Sequence, residues 1–365
     1  MRVALTLEQC WHTVPGGTAV AAIELARALE ERDDVDVIGV AARHSQPPPP
    51  AWQPPIEVRH VWAQRNVLYE LWHARLPFAP RVERATGAVD VVHATGVAYP
   101  RADAPVVVTI HDLAFLDDPT LVTKHGYRFL SRGTTLARER ARLVLCSSEA
   151  TKAHCVAEGF DAASLRVVPL GVRMTPTTRD EVTRARTKHG LANPYVFFSG
   201  TVEPRKNLPR LLRAFAKVKR PGVDLVLAGP TGWNESLRAD LAPIEARVHT
   251  LGFVDRADLF ALFAGAEVFC YPSIKEGFGL PVLEAMVQGT PVVTSAATST
   301  AEVAGDAGLL VDPLDEQAIA DALERVLDDP ALADQLSRAG EARAAMFTWE
   351  RTAELTMAAY TEAAA

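Results

Sequence analysis

Residues 195–208 read YVFFSGTVEPRKNL, and residues 268–285 read VFCYPSIKEGFGLPVLEA. In each, a short apolar run stops at a glycine-bearing loop and then opens into a helical pattern. The runs 195–199 and 268–271 lack polar alternation, as strands of a parallel sheet buried on both faces do. The same unit repeats outward. Further strands are expected at 223–228, 248–251, 291–294 and 309–311. Helices are expected at about 180–190, 206–219, 234–246, 256–264, 281–288, 315–328 and 331–345.

An earlier series has the same style. Its strands are expected at 3–7, 35–40, 56–61, 89–93, 105–110, 143–146 and 165–168. Its helices are expected at about 18–32, 64–76, 122–141 and 149–158, with Thr18 as the cap of the first. Pro15, Gly16 and Gly17 are read as a turn. Residues 46–55 hold six Pro and read as an exposed loop without regular structure. The pattern breaks after Pro169-Leu170-Gly171-Val172. The chain therefore reads as two doubly wound α/β domains, 1–172 and 173–348. A last helix, about 349–362, either ends the second domain or crosses back to cover the first.

The 365 residues agree with two domains at roughly 150 residues each. The chain is 48% apolar with a net charge of -7, which argues against a general nucleic-acid binder. Cys10, Cys146, Cys155 and Cys270 include no C-x-x-C and read as small buried hydrophobes rather than a disulfide framework. The start, MRVALTLEQC, does not read as a signal peptide, and no stretch approaches ~20 apolar residues. A cytoplasmic protein is expected.

In open parallel sheets, ligands bind beyond the carboxyl ends of strands. Five places there carry candidate chemistry. Gly16-Gly17 lets backbone approach a ligand before a helix start. His111, followed by Asp112, stands at a strand tip where it can bond a substrate hydroxyl; His93 is a weaker version. Arg205 and Lys206 follow Gly200 and open a helix, so they can hold two phosphates. Glu276 precedes Phe278, Gly279 and Leu280, and Glu284 lies early in the next helix, where a ligand hydroxyl or a salt bridge would partner it. Gly252, Phe253 and Val254 can present backbone to a flat base. No metal constellation appears, and Asp117-Asp118 read as loop acids. The full dinucleotide glycine fingerprint, G-x-S-x-G and Walker A are all absent.

These motifs resemble the retaining glycosyltransferases of the GT-B fold, the group of bacterial mannosyltransferases and sucrose synthase-like enzymes (family 4 type). The most specific are Glu276 and Glu284 around Gly-Phe-Gly-Leu-Pro, and Gly200 with Glu203-Pro204-Arg205-Lys206-Asn207-Leu208. Glu302-Val303-Ala304-Gly305-Asp306 and Leu310-Val311-Asp312-Pro313 look similar too. The resemblance implies two facing Rossmann-like domains with a cleft between them, the last helix packing back on the first. It implies a nucleoside-diphosphate sugar as co-substrate, with no cofactor and no metal. Arg205 and Lys206 would then bind the diphosphate, Glu276 the donor sugar and Glu284 the ribose. Amides near Phe278, Gly279 and Leu280 would complete that site, with His111 beside the sugar. Gly16-Gly17 would close near phosphates and acceptor, and Gly252–Val254 would meet the base. Many relatives carry Leu-Pro where this chain has Thr300-Ala301, which is expected to loosen a turn.

A hexose, with GDP-mannose favoured slightly over UDP-glucose, is the expected donor. The acceptor is a glycan, a lipid-linked molecule or a small molecule. Rival readings are a nucleotide-sugar epimerase of similar shape, a glycoside phosphorylase and a non-catalytic sugar-binding protein. Residues 124–152 form a basic island with Lys124, Arg128, Arg132, Arg138, Arg140, Arg142 and Lys152. Tyr69, Trp62, Trp72 and Phe78 lie nearby, with Arg65, Arg75 and Arg81. Together these would allow weak, salt-sensitive contact with the inner face of a membrane. The plainer alternative is a solvated helix beside ordinary core aromatics.

Overall fold

A computed structural model describes all residues except 13–15, 75, 77 and 231–236. Pro15, Arg75 and the start of the helix expected at 234–246 therefore lie outside the described residues. The chain divides into two compact units, Met1–Gly171 with Trp349–Ala365, and Val172–Thr348.

The first unit holds a seven-stranded sheet. Its strands are β1 (Arg2–Thr6), β2 (Asp36–Ala41), β3 (Val58–His60), β4 (Val91–Ala94), β5 (Val106–Ile110), β6 (Leu143–Cys146) and β7 (Leu165–Val167). Their order is β3-β2-β1-β4-β5-β6-β7, every pair parallel. Apolar strands such as β5 and β6 are buried on both faces because helices cover each side. The helix Gly17–Glu30 packs against the closing helix Trp349–Ala364. That helix is tied to the first unit: Thr352 Oγ1 donates to Pro169 O at 2.8 Å, and Arg166 Nε to Glu362 at 3.0 Å.

The second unit holds β8 (Tyr195–Ser199), β9 (Asp224–Ala228), β10 (Val248–Gly252), β11 (Val268–Tyr271), β12 (Val292–Ser295) and β13 (Leu309–Val311). Their order is β10-β9-β8-β11-β12-β13, again all parallel. The strand order reverses between β1 and β4 in one sheet and between β8 and β11 in the other. Helices leave opposite faces there, so a crevice opens at the strand ends.

Several local expectations are corrected. The first helix starts at Gly17 with Gly16 as its cap, so Thr18 lies inside it. Arg205 and Lys206 do not open the long helix. They sit in a separate 3-10 turn, Pro204–Lys206, because Asn207 takes a left-handed conformation (φ 62°) before the helix Leu208–Lys217. The proline-rich loop contains a 3-10 turn, Pro50–Trp52, whose first residue needs no amide donor. The described part of the expected 234–246 helix is one α turn, Arg238–Leu241, running into a 3-10 turn, Ala242–Arg247, beside Pro243. Helices of four to six residues, such as Ala114–Asp117 and Ser299–Ala304, were missed because they are too short to show a period. All four Cys are free and buried.

Candidate functional site

The reversal of the second sheet sets the ends of β8 and β11 side by side. A backbone bond joins the loops beyond them, from Ile274 N–H to Arg205 O at 2.8 Å. Asn207 anchors the turn by donating its side-chain amide to Pro272 O (2.9 Å) and Pro313 O (2.6 Å). Arg205 and Lys206 are thereby aimed at Glu276, about 70 residues away in sequence. Lys206 Nζ lies 2.7 Å from Glu276 Oε1, and Arg205 Nη1 lies 3.1 Å from Oε2. Arg205 Nη2 also meets the buried Glu203 at 2.7 Å. Lys206 donates to the Tyr271 hydroxyl, which donates to Glu276 Oε1 at 3.1 Å.

Burial would raise the Glu276 carboxyl, but Lys206 and Arg205 outweigh it and hold the pKa down to about 2. Lys206 is itself lowered, first by burial and then by Arg205, against the opposing pull of Glu276 and Glu203. Burial raises the Tyr271 phenol. Two cations thus face two carboxylates in one largely buried network. Glu203 and Tyr271 were not among the expected site residues. Glu203 lies within the quoted motif and Tyr271 at a strand end, but only the fold brings both to Glu276.

Glu276 is held from behind, where Ser299 Oγ donates to its backbone carbonyl at 2.9 Å. Phe278 is buried against Phe347, and Leu280 opens the helix Leu280–Val287. Gly279 caps that helix at φ 116°, and a Cβ there would come within 2.9 Å of Thr300. Thr300 is buried, and its hydroxyl bonds Ser295 O and Thr298, so hydroxyls secure the turn that Thr300-Ala301 was expected to loosen. Glu284 sits one turn into the helix. Among the described residues it has no hydrogen bond or ion pair, so the salt-bridge alternative is set aside. Part of the residue stays accessible, yet desolvation pushes its carboxyl up to about 7 against the opposing pull of Arg256.

Gly200 (φ 157°) receives a tight neighbour. Gly229, at φ 145°, could not carry a Cβ without meeting Gly200 O at 2.0 Å. Gly229 N–H in turn donates to Gly252 O at 2.7 Å. Gly252 closes β10, Phe253 is exposed and Val254 is buried.

In the first unit, His111 follows β5 half-buried, its Nε2 3.3 Å from Thr95 O, and burial lowers its pKa. His93 is structural: both ring nitrogens are engaged, by Tyr360 at 2.6 Å and Thr109 at 2.7 Å. The β1/β4 crevice is laced by neutral groups. Thr95 N–H donates to Thr6 Oγ1 at 3.0 Å, and Gln9 to Thr95 O at 3.2 Å. Gly16 and Gly17 are exposed, and a Cβ on Gly16 would meet open space. Asp117 ends a short helix near His154 (3.5 Å), and Asp118 caps the next turn.

The basic island is the helix Lys124–Arg140 together with the segment from Ala141 to Lys152. Arg132 pairs with Glu70 at 3.1 Å, and Arg138 donates to Glu158 O at 2.8 Å. Of the nearby aromatics, Trp72 is buried, whereas Trp62 and Phe78 are exposed. Among the described residues no helix is long and apolar enough to cross a membrane.

Two parallel doubly wound sheets, one with a charged crevice, place the chain among the doubly wound α/β proteins, and comparison with known proteins narrows the class. The profile described as "Glycosyl transferases group 1" matches residues 180–343, and "Glycosyltransferase Family 4" matches 15–176. The chain is 32% identical to O-antigen chain mannosyltransferase B of Escherichia coli, over 83% of this chain and 77% of that protein. It is 30% identical to D-inositol 3-phosphate glycosyltransferase of Xylanimonas cellulosilytica, over 95% and 92%. Its structure resembles that of HepE of Anabaena crystallised with UDP and glucose, at a TM-score of 0.77 and 22% identity, over 98% of each chain. The chain belongs to the family 4 glycosyltransferases and has the two-domain, Rossmann-like GT-B fold.

Proposed function

We propose that the chain moves a hexose, mannose from GDP-mannose in the first instance, onto a hydroxyl of a glycan, lipid-linked or small-molecule acceptor. The anomeric configuration is retained and no metal takes part. The observation that carries the reading is the convergence of Arg205, Lys206 and Glu276 at the β8/β11 crevice. A diphosphate entering there would draw the two cations, and the freed Glu276 would turn to the donor sugar. As the glycosidic bond breaks, charge grows on the leaving phosphate, where fixed cations stabilise it most. Glu284 would accept from ribose hydroxyls, and the amides near Phe278, Gly279 and Leu280 would meet sugar and phosphate. Gly252, Phe253 and Val254 would face the base. His111 would bond the sugar, and Gly16-Gly17 would close over phosphates and acceptor. In attack from the leaving-group face, a donor phosphate oxygen takes the acceptor proton, so no separate base is required.

Mannose is supported by the relative named a mannosyltransferase, and a soluble acceptor by the one named for inositol 3-phosphate. A cytoplasmic reaction, with weak contact at the inner membrane face through the basic island, completes the reading. Vesicle co-sedimentation at low and high salt tests that contact. Thermal-shift titration with GDP, UDP and ADP, with and without chelator, tests the donor and the absence of metal. The expected result is stabilisation by GDP that chelator leaves intact. Strict dependence on a divalent ion would overturn the metal-free reading, and a preference for UDP would overturn GDP-mannose. NMR of the product anomer tests retention.

A further inference from the structure

A second cluster lies in the first unit, beyond the carboxyl ends of β1, β2 and β3. Glu8 is 3% exposed, in the 3-10 turn after β1. Its Oε2 accepts the Ala42 amide at 2.8 Å, and its Oε1 lies 2.9 Å from His44 Nε2 in a close but bent contact. The His44 ring stacks on Trp11, with centroids 4.7 Å apart and planes 8° apart. His60 meets the same indole edge-on at 5.5 Å, and its Nδ1 lies 2.6 Å from Ala42 O. Trp11 donates its indole N–H to Gln46 O at 3.0 Å. The indole is therefore held by its edge and by a stacked ring.

These residues back a pocket of about 400 Å³, walled by Gln46, Pro47, Pro48, Gln53 and Pro54. That volume falls in the range of about 300–1,000 Å³ typical of small-molecule sites. The proline-rich loop, which the donor site does not use, supplies stiff apolar walls.

The hydrogen bonds determine what the pocket can recognise. A carbonyl oxygen only accepts, so His60 carries its proton on Nδ1. A lone pair facing a carboxylate at 2.9 Å would be repelled, so His44 carries its proton on Nε2. The remaining nitrogens, His44 Nδ1 and His60 Nε2, have no partner among the described residues. These are the ring atoms left open to a ligand. Hydroxyls, which both donate and accept, suit them, and the Glu8 carboxylate behind them disfavours an anion. Indole and proline surfaces suit the C–H faces of a ring.

We propose that this pocket binds a neutral pyranose unit of the acceptor, as a sugar subsite separate from the donor site. The inference rests on the glycosyltransferase reading for the word acceptor, but the binding itself can be tested without turnover. Saturation-transfer NMR of the full chain would use methyl α-D-mannopyranoside as the glycoside probe and inorganic phosphate as the anion probe. Trp11→Ala and His60→Phe are compared with the wild type, each checked by thermal melting. His60 is exposed, so its replacement should leave the fold intact. The expected result is glycoside saturation in the wild type that falls at least five-fold in both variants. Transfer by the variants should then show a raised acceptor KM at nearly unchanged kcat. Absence of glycoside binding, binding indifferent to both substitutions, or displacement of the glycoside by phosphate would each overturn the proposal. Failure of the transfer reading would show separately, as no acceptor-dependent release of GDP from GDP-mannose.

Discussion

The two sheets reverse strand order at equivalent places, yet their crevices are filled by opposite kinds of chemistry. At β8/β11, two cations, two acids and a phenol are locked together in a buried network. At β1/β4, Thr6, Thr95 and Gln9 bond one another with His111 beside them, and the nearby buried Glu8 turns to the Ala42 amide instead. The same topology therefore gathers paired cations and acids at one crevice and mainly hydroxyl and amide groups at the other. A common fold supplies the place, and the loops after its strands supply the chemistry.

The comparison breaks most sharply at Lys206. Lys206→Ala leaves Glu276 buried with one cation fewer, and each of Lys206→Ala and Arg205→Ala should weaken the transition state by roughly 2–5 kcal/mol. Single-turnover transfer from GDP-mannose measures this. Normal rates in the double variant would remove the phosphate clamp, whereas replacing Gln9 in the β1/β4 crevice should leave donor affinity unchanged.

Glycines offer the next contrast. Gly229→Ala drives a Cβ to 2.0 Å from Gly200 O at φ 145°, and should cost about 3 kcal/mol or more. Gly16→Ala meets open space, with φ -109°, and should change stability by about 0.5 kcal/mol or less. Chemical denaturation of both variants decides whether the second crevice is the more tightly built.

The charge network should also appear in acid. Glu276 is depressed from 4.5 to about 2, so its ionised form favours the folded state. That contribution is complete above the ordinary carboxylate range and is lost as pH falls from about 4.5 through about 2. Melting of wild type and Glu276→Gln across that window should show the wild-type advantage shrinking with acidity. Parallel curves would mean that Glu276 is not held by the cations.

The smallest effect belongs to Glu284. Its carboxyl, raised to about 7, is protonated in mild acid and ionised in mild base. If it accepts from ribose hydroxyls, GDP-mannose affinity should rise a few-fold between about pH 6 and 8. Glu284→Gln should flatten that rise. The sugar nucleotide is the right probe because its phosphates do not titrate there. A slope that survives the substitution would assign the effect elsewhere.

The motifs at β8 and β11 were legible in sequence because strand, glycine loop and candidate residue follow one another within a dozen positions. The strands β8, β11 and β13 also stood out, since apolar runs bounded by turn residues mark a doubly covered sheet. Short helices were not legible, because four to six residues cannot show a period. The 3-10 turn at Pro204–Lys206 was read as a helix start because nothing local announces that Asn207 turns left-handed. Its reason lies far away, in the carbonyls of Pro272 and Pro313. Likewise His93 and His111 look alike at strand ends, and only packing shows that one is fully bonded within the core.

By itself the sequence determined the two series of parallel strands, the glycine loops at their ends and the residue types proposed to meet phosphate and sugar. These follow from short-range rules: apolar runs, turn formers and the chemistry carried by single side chains. The tertiary structure alone decided that Glu276 lies between Arg205 and Lys206, that Glu203 and Tyr271 join them, and that Trp11, His44 and His60 share one pocket. Those meetings depend on strand order and loop register, and the free energy that sets them is spread over whole buried sheets.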